Sequence, residues 1–405
     1  FDNMFSTIDS NIKLDEEQRK IILTDEDYVM VIAGAGSGKT TTISAKVNYL
    51  IEKKKIKDEE IMVISFTNKA VKELNERINK DFKHNVKIVT FHKFGYEIIK
   101  NNTTNPPKII KNNTEIIKKY IEKELINNEK KLKQFLNLYI YYFDISEEYQ
   151  IFKNFDEYNK YKNKQKYPTL KNKIEYINNT IKEQQNNNKT INNEHVKNLN
   201  EALIANFLYM NNITYKYQQS YPYLETYQPD FTIYKNDKIC YIEYFNMNKI
   251  NKFKYEKNIK MIRNIHKKYK KNIIEIYDNQ IIETLKQELE NKKIKLKERK
   301  TIEIFNKLIK ENQDITYKKF INFCNTFINL FKSKGYEYKD FDKIQTNNTR
   351  TKIFIQFIKE LYQYYQKQLE RNNQIDFDDM INKANKIITT NKNIHLQYKY
   401  IIIDE

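Results

Sequence analysis

The stretch Val29-Met30-Val31-Ile32-Ala33-Gly34-Ala35-Gly36-Ser37-Gly38-Lys39-Thr40-Thr41 decides the fold class. An apolar run leads into a glycine-rich turn, and Lys39-Thr40 opens a helix. A phosphate-binding loop requires that order. Glycines let backbone N–H groups curl around the β- and γ-phosphates, a lysine ammonium reaches the phosphate oxygens, and a threonine hydroxyl can hold Mg²⁺. The following helix aims its unpaired N–H groups at the same anion. Ile43, Val47, Leu50 and Ile51 recur at helical spacing behind the loop, which supplies the strand–loop–helix context that an ordinary glycine-rich turn lacks. Ala33 stands where the pattern G-x-x-x-x-G-K-[ST] has its first glycine. The nucleotide-binding set expected here is Ala33 to Thr41.

Working outward, residues 28–32, 61–67 and 86–90 read as strands, with helices between them; one helix carries Val71, Leu74 and Ile78 on a single face. Alternation of this kind predicts a parallel sheet with helical crossovers. Ligands of such sheets sit at the C-terminal ends of the strands. The far end of the sequence, Tyr400-Ile401-Ile402-Ile403-Asp404-Glu405, is an apolar run delivering two carboxylates. In a phosphate-loop protein the first acid holds Mg²⁺, and the second takes a proton from the attacking water. Asp404 is thus the expected metal partner of Thr40, and Glu405 the general base. Asp376, just before Phe377-Asp378-Asp379-Met380, is placed to cap another helix.

The chain has 405 residues, enough for two or three domains. Its net charge of +19 favours a polyanionic partner, of which nucleic acid is the commonest. Richness in Lys, Asn, Ile and Tyr is also what an AT-rich genome produces, so charge is supporting evidence only. Cys240 and Cys324 form no CxxC pair, which argues against a zinc site or disulfide framework and suits a reducing, intracellular compartment. No apolar run is long enough to span a bilayer, and no signal peptide is visible. The chain starts at Phe1, so a preceding segment is expected. Residues 101–194 are an Asn/Lys-rich, mostly helical insertion with a polar stretch from Gln184 to Asn193; residues 195–280 read as a small α+β unit, 281–372 as helical, and 373–405 as a return to the first domain, residues 1–100.

These pieces resemble the UvrD/Rep-like superfamily 1 DNA helicases. The match covers residues 14–100 and 350–405, with five motifs in the family's order. Leu14-Asp15-Glu16-Glu17-Gln18 looks like the Q motif, which implies that Gln18 reads the adenine edge. Ala33 to Thr41 fits the family's phosphate loop, alanine start included. Ser65-Phe66-Thr67-Asn68-Lys69-Ala70 looks like motif Ia, Thr90-Phe91-His92-Lys93-Phe94-Gly95 like motif Ib, and Asp376-Phe377-Asp378-Asp379-Met380 with Asp404-Glu405 like the segment entering motif II. The resemblance implies that Thr67, Asn68, Lys69, Thr90, Phe91 and His92 touch single-stranded DNA. Taken singly, Phe91 or Phe94 would more often pack than stack, and His92 would be structural. The fold implied is a RecA-like P-loop NTPase sheet interrupted by a large helical insertion. The activity implied is ATP-dependent, Mg²⁺-requiring 3′→5′ translocation or unwinding on single-stranded DNA or a single/double-strand junction. The family continues past its Asp-Glu pair with arginine-bearing motifs and a second motor domain. Residues 1–405 alone are therefore expected to hydrolyse ATP poorly and to unwind negligibly.

The middle segment resembles the PD-(D/E)xK nuclease fold, and more closely the nuclease-like insert of helicase IV-type relatives, on Glu201 to Leu208, Gln228-Pro229-Asp230-Phe231 and Tyr241-Ile242-Glu243-Tyr244-Phe245. Two alternating runs joined at Asn236-Asp237 make a two-residue hairpin that sets Asp230 opposite Glu243. Facing carboxylates repel unless a cation bridges them or water screens them, so Asp230 and Glu243, with Glu201, are a candidate second Mg²⁺ site. Solvated strand-face acids are the plainer alternative. The fold's lysine belongs two residues after the second acid, where Phe245 stands; Lys249, Lys260 and Arg263 are the nearest substitutes. The expectation is a degenerate nuclease fold serving as a structural or DNA-contacting module. Two other functions compete with the motor: a metal-dependent nuclease with an accessory ATPase, and a non-motor ATP- and DNA-binding fragment.

Overall fold

The computed structural model describes residues 14–34, 36–143, 190–235, 238–245, 252–277, 281–311, 315–391, 394 and 396–404. Ala35, Lys249, Glu405 and the Asn236-Asp237 turn lie outside them, as do residues 184–189 of the polar stretch. The chain divides into two compact units, Phe1–Asn113 with Thr326–Lys343 and Tyr362–Glu405, and Thr114–Asn325 with Ile344–Leu361.

The first unit opens with α1 (Glu16–Leu23), α2 (Lys39–Glu52), β1 (Ile61–Ser65), α3 (Asn68–Leu74), β2 (Lys87–Thr90), α4 (Phe91–Asn101) and β3 (Lys108–Ile109). The second holds α5 (Thr114–Lys119), α6 (Glu129–Asn137), α7 (Leu199–Met210), β4 (Thr214–Tyr217), β5 (Phe231–Lys235), β6 (Lys238–Phe245), α8 (Lys252–Lys268), β7 (Asn272–Tyr277), α9 (Ile281–Asn291) and α10 (Thr301–Phe305). Helices α11 (Ile315–Ser333) and α12 (Thr349–Arg371) give residues to both units; β8 (Gln374–Ile375), α13 (Phe377–Thr390) and β9 (Tyr400–Asp404) complete the first.

In the first unit, β2, β1 and β9 form a parallel sheet in that order. All five residues of β1 are buried, because a parallel strand with crossovers on both faces has no solvent side. Val47 and Leu50 of α2 pack with Ile61, Val63, Leu74, Ile78 and Ile88 on one face. Met62, Ile64 and Val89, with Phe94, fill the other. The expected Leu74/Ile78 face therefore forms, although the helix passes into a π-helical segment over Asn75–Asp81. Strand β1 stops at Ser65 rather than residue 67, because the Thr67 hydroxyl turns to accept the Ala70 N–H and caps α3. Helix α4 lies close on α13: a Cβ at Gly95 would sit 3.3 Å from the Met380 carbonyl oxygen, so glycine permits the approach.

One expected strand is absent. Residues 28–32 carry no strand, and Tyr28, Met30 and Ile32 are 97, 86 and 89 % exposed. Apolar sequence signals a need for burial, but a strand also requires a neighbouring backbone to pair with. Among the described residues none pairs with this run, and the outer edge of β9 carries no further strand.

In the second unit, β4-β5-β6-β7 form a mixed sheet: the first two pairings are antiparallel, while β6 and β7 run parallel and are joined through α8. Pairing of Lys235 with Lys238 leaves two residues between the strands, as the hairpin reading requires. Residues of α7 and α9 cover one face of this sheet over Phe231, Ile233, Ile242 and Ile274. Ile259 and Ile262 of α8 cover the other over Tyr241 and Phe245. The helical remainder packs around Phe135, whose ring meets Phe305, Phe320 and Phe357. Among the described residues, no helix is long and apolar enough to cross a membrane.

Candidate active site

The glycine-rich loop takes the shape its composition allows. Gly36 and Gly38 have φ of 77° and 79°, a left-handed conformation that a side chain resists. A Cβ at Gly38 would also lie 2.7 Å from the Gln18 side-chain amide nitrogen, so a side chain there would displace Gln18 from the loop. Gln18 forms a capping box with Asp15 at the start of α1 and donates from Nε2 to the Ser37 carbonyl at 3.0 Å. Leu14 and Ile22 pack on Ala45 and Tyr49 of α2, so α1 is fixed against the helix that the loop opens.

Lys39 Nζ donates to the Ala33 and Gly34 carbonyls at 3.2 and 2.9 Å. Helix α2 begins at Gly38 without a side-chain cap, which leaves first-turn N–H groups for an anion. Thr40 follows Lys39 in that first turn. The buried Thr41 hydroxyl instead accepts from Arg77 Nη1 at 2.9 Å, so Thr41 joins α2 to the segment after α3.

The sheet register lines up the strand ends. Ser65 pairs with Thr90 on one side and Asp404 on the other. Ser65 Oγ donates to Asp404 Oδ2 at 3.3 Å and orients the carboxylate. Among the described residues, no hydrogen bond joins Lys39 or Thr40 to Asp404. Phe66, Thr67, Asn68 and Lys69 are exposed where the chain leaves β1. The Thr90 hydroxyl caps α4 by accepting from the Lys93 N–H. Phe91 is exposed, His92 packs edge-on against Phe377, and Phe94 packs on Tyr398. Ser65 opens the motif Ia stretch but carries no site role in the sequence reading, and Arg77 has no sequence signal. A lysine, a hydroxyl, a carboxylate and an uncapped helix N-terminus suit a phosphate with Mg²⁺, which prefers oxygen ligands.

Beneath α13 lies a buried ion cluster that sequence does not announce. Lys332 Nζ is fully buried and ion-pairs with Asp376 and, at 2.7 Å, with Asp379; the Tyr365 hydroxyl donates to Asp376 at 2.7 Å. Asp376 also caps α13 through the Asp379 N–H.

The insert's carboxylates, the candidate second metal site, are engaged by protein groups. Phe231 pairs with Ile242, and that register sets Asp230 opposite Glu243 as anticipated. However, among the described residues no group of three or more His, Cys, Asp or Glu side chains is arranged to hold a metal ion. Tyrosine hydroxyls and backbone take the oxygens instead. Tyr217 donates to Glu201 at 2.5 Å, Tyr227 donates to Glu243, and Asp230 accepts from the Tyr244 N–H at 2.9 Å. Glu201 additionally accepts from Asn198 and the Lys197 N–H in the cap of α7. Burial, then the Asp230 charge, holds the Glu243 carboxyl well above the usual carboxylate range. Arg263 is no substitute lysine; it forks onto Glu275 at 2.7 and 2.6 Å.

This pocket predicts a pH profile. His266, which hydrogen-bonds Tyr227 at 2.8 Å, is pushed down from 6.5 to about 4 by burial. As pH falls below 6.5, the unfolded state protonates first, and stability is lost. Glu243 has the opposite sign: above its ordinary 4.5 the unfolded state loses its proton first, so stability declines as pH rises. Melting of the second unit should therefore peak in mildly acidic solution. Glu243→Gln should flatten the alkaline limb; an unchanged alkaline limb in that variant would contradict the buried-proton assignment.

The first unit is thus an α/β phosphate-loop nucleotide-binding domain. The sequence matches the UvrD/REP helicase N-terminal domain over residues 14–234 and 231–405, and the chain belongs to that family. It is 42 % identical over 91 residues to a probable DNA helicase II homolog of Mycoplasma capricolum, a stretch that is 22 % of this chain and 12 % of that protein. Over 90 residues, again 22 % of this chain and 12 % of the relative, it is 32 % identical to the ATP-dependent DNA helicase PcrA of Staphylococcus aureus. Over 122 residues, 30 % of the chain and 18 % of the relative, it is 31 % identical to DNA helicase II of Rickettsia typhi. The matched stretches span less than a fifth of the length of these relatives.

Proposed function

We propose that this chain is the ATP- and DNA-binding part of an ATP-dependent, single-stranded-DNA translocase or helicase of 3′→5′ polarity, acting in DNA repair, replication or recombination. The observation that carries the reading is the alignment of Thr90, Ser65 and Asp404 at one edge of a parallel sheet, in a chain whose glycine loop is held by Gln18. Lys39 would hold the γ-phosphate, Thr40 and Asp404 would hold Mg²⁺, and Gln18 would read the adenine edge after exchanging its present partners. Glu405, outside the described residues, is assigned the general base. Bound Mg²⁺ would neutralise phosphate charge. Exposed Thr67, Asn68, Lys69 and Phe91, with Thr90 and His92 beside them, would form a backbone track that does not read sequence. The test is Mg–ATP binding and oligonucleotide-stimulated hydrolysis by the chain, both reduced in Lys39→Ala; hydrolysis at the parent rate in that variant would sink the assignment.

For residues 195–280 we propose a nuclease-like module that does not cut. The Asp230–Glu243 register supports the likeness, while Phe245 and the tyrosine-engaged carboxylates argue against cleavage. With Mg²⁺ and end-labelled single-stranded or flapped DNA, no cleavage is expected. Chelator-sensitive cutting that disappears in Asp230→Ala would reverse this reading and bring the metal-dependent nuclease forward.

A further inference from the structure

Helix α8 has one face in the core and one that is exposed among the described residues. Ile259, Ile262 and His266 are buried under it, while Lys257, Lys260, Met261, Asn264, Lys267 and Lys268 are exposed. Residues 252–271 contain nine Lys or Arg against a single acid, Glu256. The whole chain has 72 against 53, so general lysine richness does not account for this segment. Arg263 is committed to Glu275 and is not counted on the outward face.

The outward side forms a shallow trough walled by Lys257, Lys260 and Lys268 and floored by Met261 and Ile265. From Lys257 to Lys268 the helix rises about 16 Å, several phosphate spacings of a nucleic-acid strand. At the C-terminal end of the helix stand two aromatic rings: Tyr223 and Tyr269 stack with centroids 5.1 Å apart and planes 22° apart. Lys271 lies 4.6 Å from the Tyr223 centroid and Lys268 lies 5.3 Å from that of Tyr269. Tyr223 is 43 % exposed. A row of ammonium groups matches phosphates, and the partly exposed Tyr223 ring, backed by Tyr269 and Lys271, adds an aromatic contact for bases beside it, which is the combination that single-stranded nucleic acid selects. An acidic peptide would use the charges and leave the rings idle.

We propose that the outward face of α8, with Tyr223 at its end, is a single-stranded-DNA contact of the insert, additional to the motif loops of the first unit. The proposal rests on the reading of the chain as a DNA-dependent ATPase and adds a second place where the strand is held. The insert would serve as a non-cutting clamp, with contacts indifferent to sequence.

The test is a salt titration of fluorescent oligothymidylate binding to the full 405-residue chain, comparing Lys260→Glu/Lys268→Glu with Lys286→Glu/Lys295→Glu. The second pair makes the same change in net charge at exposed lysines away from α8. Loss of two phosphate contacts should lower the slope of log K against log salt by about 1.4, and weaken binding at low salt about tenfold. The control pair should leave the slope unchanged. Tyr223→Ala should weaken binding without altering the slope, because stacking releases no counterions. An unchanged slope in the α8 pair, or an equal fall in the control pair, overturns the proposal. ATP hydrolysis by the unaltered chain, with and without the oligonucleotide, is read in parallel. Stimulated hydrolysis with an unchanged α8 slope removes the clamp and leaves the motor reading standing. A chain that binds no oligonucleotide at all overturns both.

Discussion

Lys332→Ala is expected to destabilise the first unit by about 3–5 kcal/mol, the usual consequence of stranding a buried charge. The ammonium is fully buried between Asp376 and Asp379 and lies over the Tyr365 ring. Removing it leaves two largely buried carboxylates without their shared cation at the start of α13. The Lys332 backbone would still accept from Asn382 Nδ2 at 2.8 Å, so the loss is electrostatic rather than a collapse of α11. Lys332→Met should cost nearly as much, since it restores packing but no charge. Lys332→Met with Asp379→Leu should recover part of the loss, because an apolar replacement removes the stranded group as well. The measurement is denaturant unfolding together with hydrogen exchange of the α13 amides. A Lys332→Ala chain within about 1 kcal/mol of the parent would mean that the cluster is hydrated or replaceable.

Lys39→Ala should reduce ATP hydrolysis by about 10²–10³, the effect of removing one preorganised donor from a developing anion. The direction is not self-evident, because the ammonium already donates to the Ala33 and Gly34 carbonyls. Those acceptors are neutral. Exchanging them for phosphate oxygens turns two ordinary hydrogen bonds into charge-assisted ones, which are about twice as strong. The gain is larger still when charge builds on the γ-phosphate. Affinity for Mg–ATP should therefore fall less than the hydrolysis rate, and comparing the two separates ground-state from transition-state binding. Equal losses in both would assign Lys39 to nucleotide capture alone.

The phosphate loop could be read from sequence because its chemistry is local: three glycines within five residues and the lysine after them have few other uses. The Asp230–Glu243 register was readable for a similar reason, since a two-residue turn fixes which residues face each other. The chemistry between those acids was not. Tyr227 lies 16 residues from Glu243, and His266 lies 39 from Tyr227, in a chain with 32 tyrosines among which no single one stands out. Lys332 was hidden in the same way, a lysine among many, with its partner 44 residues away. Residues 28–32 misled for the opposite reason. Their apolarity was plain, but a strand is defined by its neighbour, and no local pattern names one.

The placement of β9 has a consequence for how the site comes into being. Its inner edge is bonded to β1 and, among the described residues, its outer edge is bonded to no strand. Asp404 thus stands on the rim of the sheet, steadied by Ser65 from one side. Whatever adds to that rim will do two jobs in one event: close an exposed edge and immobilise an acid. An acid steadied from one side keeps more freedom than one held from both, so any backbone that pairs with this edge would also sharpen the position of Asp404.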